Sequence, residues 1–513
     1  MNLQRRIASV HSHLALRLSL GFAVLLLAGG LAAPAEAEEI TWDNPAGGGW
    51  NASANWAPQD IPDEAGEVAI VPAEAGEYTI SLDTSPGIDA LFLNNADATL
   101  TLGANTLTLF EPDGLSNHGL VLASSGTGVI VGLIRNHADG RIEIVPNRHL
   151  QLSAPAVEND GVILVHNASS TNNAILIFLE DAGLSGSGEL ILHTNGTVTD
   201  AQLLTAPGTL LTQQAPHRIR GAGIIEAALV NHGEIFADQD ATVLLLTENP
   251  KSNHGTIGAT GTGLLELQAF TLTQAGAGTL LAEDSAIDLG QDMIVVGGGL
   301  SSTGSGRIEC SDGTTRLEDV TLDGLFQIHS TVTVELAGNT IENNGEMVLH
   351  YDTSTNNAYL EIVDDLALTG DGTLRMMIAS SSTADALIAS VGSAVLTHDS
   401  GHTIHGGGEI SAYLENHGVI FADQEDALLV LKTNPKTNHG TIGAREAGKL
   451  ELQTFTLTQT GAGILLAEDA GIELGPNSVV SGGLLSATGS GWFECTDGTT
   501  RLEDVTLDGL FQI

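Results

Sequence analysis

From Thr99 to Phe110 the chain reads TLTLGANTLTLF, two short runs in which every second residue is apolar. LLELQAFTLTQ (Leu264 to Gln274) and VTVELAG (Val332 to Gly338) repeat the alternation. A period of two sends one side of a segment to a core and the other to solvent, so these runs predict short β-strands. No convincing amphipathic helix follows the N-terminal segment. Between the strands a corner recurs: SNHGLV at Asn117, ENDGVI at Asn159, VNHGEI at Asn231, SNHGTI at Asn253, ENNGEM at Asn343, ENHGVI at Asn416 and TNHGTI at Asn438. Each reads Asn, any residue, Gly, any residue, then an apolar residue. Asn and Gly tolerate the left-handed backbone that sharp corners need.

Two periods are present. Asn231 to Asn253 is 22 residues, as is Asn416 to Asn438. Above that beat lies a long duplication: GTTRLEDVTLDGLFQI at Gly313 returns letter for letter at Gly498, an offset of 185 residues. NPKSNHGTIGA at Asn249 recurs as NPKTNHGTIGA at Asn434, and Cys310 maps to Cys495. Short strands, Asn-Gly corners and a turn of about 20 to 25 residues predict an all-β, right-handed parallel β-helix (β-solenoid) with an N-terminal capping segment. It would hold about 18 turns along about 85 Å. Asn side chains at equivalent corners are expected to stack into ladders. The competing fold, an antiparallel β-sandwich array, requires hairpin pairing and units of about 100 residues.

The organisation read from these patterns is a signal peptide over 1–37, an N-terminal cap and first strands over 38–110, and first turns over 111–143. Repeat units follow over 144–328 and 329–513, the second copying a block of about eight turns. The leader reading rests on Arg5, Arg6 and Arg17, the apolar run Leu18 to Leu31, and small residues at Ala35 and Ala37. That run is too short to span a bilayer, and no later stretch is long and apolar enough. In the first unit GLFQI runs on into another strand, whereas the second copy stops at Ile513, so the duplication is expected to continue in a longer parent protein.

Charge narrows the partners. The chain carries 63 acidic and only 17 basic residues, a formal net charge of -46. Nucleic acid and anionic membrane surfaces are poor partners for such a surface. Calcium is compatible but unspecific. With only two cysteines, disulfides do not build this fold. Eight or so intervening turns would keep Cys310 and Cys495 from bridging within one chain.

Candidate chemistry is sparse. The corner histidines His118, His232, His254, His417 and His439 are the types a metal uses, and stacking would bring His232 to His254 and His417 to His439. A ligand set needs further groups, so these are read as exposed corner residues, with no metal and no cofactor assigned. The carboxylates Asp238, Asp240, Glu283, Asp284, Glu318 and Asp319 mostly recur, as Asp423, Glu468, Asp469, Glu503 and Asp504. Copied features read as scaffold, because an active site in a solenoid is normally singular. The bases Lys251/Lys436 and Arg316/Arg501 are copied too. Trp42, Trp50 and Trp56 are expected to cover the first turn, with a glycan-binding cleft as the alternative. Arg307 and Ile308 become Trp492 and Phe493, the clearest local specialisation. No catalytic residue is assigned.

GGGEISAYLENHGVIFADQEDALLVL (Gly406 to Leu431) resembles the G-x-G-x-I…L-x-N-x-G-x-I turns of large secreted bacterial β-helical surface proteins. These comprise autotransporter passenger domains, filamentous-haemagglutinin-like adhesins and planctomycete-type repeat surface proteins. TWDNPAGGGWNASANWAPQDIPDEAGEVAIV (Thr41 to Val71) is similar to their opening block. The resemblance implies a secreted or outer-surface location and an adhesive or structural, non-catalytic role. Extracellular glycans or other cell-surface components are the partners it suggests. The competing class is a carbohydrate-active β-helix enzyme, a polysaccharide lyase or hydrolase.

Overall fold

The computed structural model describes residues 37–73, 76–166, 168–379, 382–496 and 498–512. The proposed leader, Ala37 apart, lies outside the described residues. From Ala37 onward the chain is a parallel β-solenoid of about 20 turns. From Thr127 on each turn has three strands, one per face of a triangular prism; before it, Gly87–Leu93 and Thr106–Asn117 each run over two faces. Thr127–Val131 lies on face 1, Ile134–Asn136 on face 2 and Arg141–Ile144 on face 3. One turn later Arg148–Ser153, Ala156–Asn159 and Val162–Val165 pair with them in parallel and in register. The core is a bundle of columns rather than a layer. Ile219, Ile235, Ile257, Leu280, Leu300 and Leu322 stack in register on face 3, all buried. Alternation supplied the inward residue, and the parallel register placed it on its equivalents.

The Asn-x-Gly signature has a direct cause. Asn253 ends its face-2 strand with its side chain buried. Its Oδ1 accepts the Gly255 N–H at 3.2 Å, which closes the corner. Its Nδ2 donates to Thr279 O at 3.0 Å and Gln274 Oε1 at 3.1 Å in the next turn. Asn231 Nδ2 donates in turn to Asn253 Oδ1 at 2.9 Å. Gly255 is required because a Cβ there would stand 2.1 Å from Gly233 O of the turn before. The expected ladders are therefore present, as Asn117–Asn136–Asn159, Asn231–Asn253–Gln274 and Asn416–Asn438–Gln459.

The duplication does not repeat along one face. In chain order Glu234–Ala237 is the 24th strand and its copy Val419–Ala422 the 49th, 25 strands later. With three strands per turn the block is eight turns and one strand, not the whole eight that the sequence suggested. Glu234–Ala237 therefore belongs to face 3 and its copy to face 1. The ladder moves with it: Asn231 ends a face-2 strand, Asn416 a face-3 strand. All three faces demand the same thing, a strand of alternating residues followed by a corner. A block can consequently be inserted in whole strands rather than whole turns.

At the N-terminal end Trp42, Trp50 and Trp56 are buried and mutually packed, with ring centroids 4.9 Å (Trp42–Trp56) and 4.8 Å (Trp50–Trp56) apart. Their ring N–H groups donate to Asn44 O, Pro62 O and Trp50 O. Here Glu38–Trp42 pairs antiparallel with Trp56–Ala57, the only antiparallel pairing among the described residues. The indoles are spent on packing and leave no stacking cleft.

Two outcomes test this architecture. Deleting residues 141–324 joins Gly140 to Leu325, whose strand is the copy of the one removed. The product should fold as a β-solenoid, and scattering should show it shorter by about 40 Å. Asn253→Ala strands the Gly255 N–H and the Thr279 carbonyl, and thermal or denaturant unfolding should show a loss of about 2 to 4 kcal/mol.

Candidate functional site

The corner histidines stand where stacking predicts. His232 lies 4.6 Å from His254, and His417 lies 4.5 Å from His439 with rings parallel to 1°. His118 instead stacks on His137 at 4.0 Å, and its Nδ1 meets Asp139 at 2.8 Å. All five corner histidines are half-buried or exposed.

The copied carboxylates do scaffold work. Asp284 and Asp469 sit at left-handed corners, φ 51 and 53. Each accepts a backbone N–H from the next turn: Ser305 at 2.9 Å, Ser490 at 2.7 Å. Asp319 accepts the Asn339 and Thr340 N–H groups at 2.6 and 3.0 Å, which holds its carboxyl below the usual range. Asp504, its copy, has the same backbone, φ 52. Asp240 accepts the Thr262 hydroxyl, while Glu283 and Glu468 are exposed. Arg316 lies 3.6 Å from Glu318 and 3.7 Å from Glu335, and Arg501 pairs with Glu503.

Lys251 and Lys436 are not surface bases. Each occupies an inward column position, Lys251 between Leu229 and Leu272, Lys436 between Leu414 and Leu457. The stems fill the core. Each Nζ bends back to two carbonyls, Thr247 O and Asn249 O in one copy, Lys432 O and Asn434 O in the other. A Phe270 or Phe455 ring lies beneath, 4.3 or 4.5 Å away. Burial pushes both ammonium groups down to about 7, against the pull of Glu226 and Glu248 on Lys251 and of Glu409 on Lys436. Cys310 is buried and Cys495 half-buried, both free, and burial pushes the Cys310 thiol up. Trp492 lies over Gly471, where a Cβ would stand 2.5 Å from its ring; the first copy has Ala286 there. The Arg307-to-Trp492 change is thus a repacking with room made for it.

The sequence reading passed over two features. The first is a pair of outward carboxylate columns, Glu266–Asp288–Glu309 on face 1 and Glu451–Glu473–Glu494 on face 2. Burial, then the neighbouring acids, raises Glu266, Asp288 and Glu473 above the carboxylate range. The second is a set of buried histidines, His166, His217, His350, His398 and His402. Three of them belong to the ladders. Where a turn carries Gly186 or Gly370 instead of Asn, a histidine from further along the chain reaches back: His217 Nε2 lies 3.0 Å from Asn159 Nδ2, and His402 Nε2 lies 2.9 Å from Asn343 Nδ2. In the second copy the relay is unbroken. Asn343 donates to His402 Nε2, His402 Nδ1–H to His398 Nε2 at 3.0 Å, and His398 Nδ1–H to Asn416 Oδ1 at 2.6 Å. Gln213 replaces His398 in the first copy, so only the second forms this chain. The echo APHRIRG/SGHTIHG was the available signal.

Two surface hollows share the copied positions Arg220/His405 and Asp238/Asp423 on different faces. One, of about 270 Å³, is lined by Arg218, Arg220, Phe236, Asp238, Thr260 and Glu283. The other, of about 290 Å³, is lined by Arg375, Met376, His405, Asp423 and Gln424. Arg220 bridges Glu189 at 2.9 Å and Asp238 at 3.4 Å. In the second copy His405 and Arg445 converge on Asp423 at 3.1 and 2.7 Å. Burial works against the Asp423 carboxylate, but those two partners outweigh it and hold it below its usual range. A clasp beside the hollows is copied: Gln239 exchanges two hydrogen bonds with the Thr194 backbone, and Gln424, which lines the second hollow, with that of Ile378. No protein-family model, curated protein or solved structure matches the chain.

The buried relay sets an acid limit. Burial pushes His398 down to about 4 and His402 to about 3, against 6.5 for an unburied ring. The unfolded chain therefore takes up protons first as pH falls. The relay's contribution is complete above pH 6.5 and is lost as pH drops toward 4, by up to about 3 kcal/mol for one such ring. Thermal melting from pH 7 to 4 should show this loss, and His398→Gln, the first copy's residue, should lessen it by one ring's share while buried His402 and His217 keep theirs.

Proposed function

We propose that this chain is a non-catalytic β-solenoid acting outside a bacterial cell as an adhesive or structural element, like the surface solenoids its Gly406 to Leu431 pattern resembles. One observation carries the reading: a 25-strand block has been copied with its carboxylates kept in backbone-capping roles. Copying of that kind adds reach and surface, because each turn of a solenoid contacts only its neighbours. A hydrolase or lyase would need a carboxylate pair or a base released from such work. The strongly acidic surface suits an extracellular, salt-rich setting and repels nucleic acid and anionic lipid.

The hollows are where a glycan would be held. Each combines a cation and a carboxylate, which take sugar hydroxyls, and the first adds the Phe236 ring, which takes a sugar face. Because the copies sit on different faces, the solenoid would present two sites in different directions. Glycan-array and cell-binding assays on residues 38–513, run beside a polysaccharide-degradation screen, test the reading. Binding without turnover is expected, weakened several-fold by Arg220→Ala combined with His405→Ala. Release of shortened saccharides would overturn it in favour of the enzyme.

A further inference from the structure

The two stacked histidine pairs are copies of each other, yet their surroundings differ, and two of the differences touch the imidazoles. Beside His232 and His254 the first copy has Val230 and Ala275. At the same positions beside His417 and His439 the second copy has Glu415 and Thr460. Both changes bear on the imidazoles. Glu415 Oε1 lies 3.1 Å from His417 Nε2 and 3.5 Å from His439 Nε2. The Thr460 hydroxyl lies 2.7 Å from the other nitrogen of His439, Nδ1. Among the described residues this is the only group of three His, Cys, Asp or Glu side chains whose ligand atoms all lie within 4.8 Å of one another.

We propose that Glu415, His417 and His439 form a site for a late first-row divalent metal ion of the zinc class. Two imidazoles and one carboxylate are a recurrent zinc ligand set that leaves a coordination position open to solvent. Bonds of about 2.0 to 2.2 Å in tetrahedral geometry place donor atoms about 3.4 Å apart. The two nitrogen–oxygen separations already bracket that value. The two Nε2 atoms must draw together from the spacing of the stack, a small rotation of half-buried rings. Thr460 holds the ring of His439: its hydroxyl accepts from Nδ1–H and leaves the Nε2 lone pair for the metal. Such outer partners fix tautomer and ring orientation. Calcium is disfavoured, since it selects oxygen donors. The parallel stack supplies the two imidazoles, and the copy-specific residues supply the third ligand and its support. The site lies on the ladder corner of face 3, outside the hollows assigned to glycans, and does not depend on that assignment.

The first copy provides the control. The full chain, stripped of metal and kept in excess Ca²⁺ to occupy its many carboxylates, is titrated with Zn²⁺ against a chromophoric chelator. One tight equivalent is expected, and Zn²⁺ should raise the melting temperature. Glu415→Val, which installs the residue Val230 already carries in the same fold, should weaken zinc at least tenfold. Val230→Glu with Ala275→Thr should create a second tight equivalent at His232 and His254. Zinc affinity unchanged by Glu415→Val, or a double variant that melts as the parent does and still binds one equivalent, would overturn the proposal.

Discussion

A buried corner is the constraint on which this molecule depends. At each corner of a parallel solenoid the backbone leaves one strand and enters the next. Its N–H and C=O groups cannot be left unpaired away from water. Here the buried Asn117, Asn231, Asn253 and Asn343 each close a corner by accepting the N–H two residues on. The same side chain donates its amide hydrogens to the turn above, as Asn231 does to Asn253 and Asn253 to Gln274. One side chain therefore satisfies its own corner and ties it to the next. Two free cysteines and a few surface ion pairs add little to such a frame.

Because the three faces impose the same requirement, the chain can grow by strands. The block of 25 strands turns the second copy by one face. Residues that share an ancestor position consequently look out in different directions, Arg220 from face 3 and His405 from face 1. That separation lets copies diverge without competing for one surface. The Val230-to-Glu415 and Ala275-to-Thr460 changes at one histidine stack, and the Gln213-to-His398 change inside the ladder, are such divergences.

The charge imbalance is managed locally. Carboxylates at left-handed corners accept backbone N–H groups, so much of the acidity is hydrogen-bonded to the frame. The few bases are placed with purpose. Lys251 and Lys436 give their stems to the core and their ammonium groups to carbonyls, which explains why both copies keep them. In-register stacking of Glu266, Asp288 and Glu309 costs repulsion, which adds to burial in raising the carboxyls of the first two.

Alternation in Leu264 to Gln274, the Asn-x-Gly corners and the 185-residue echo were enough to fix strand, corner and repeat, because each depends on neighbours within a turn or on identity of letters. They also placed His417 beside His439 and anticipated the Asn ladders, since both follow from a spacing of 22 residues. What sequence spacing could not decide was which column a residue joins. That depends on how many strands intervene, and turn lengths vary too much for residue counts to give it. Only the tertiary structure showed that the copies differ by one face, that Lys251 lies inward, and that His402 reaches across a missing Asn to Asn343. It also aimed Glu415 at both imidazoles, because that contact is made across stacked turns rather than along the chain.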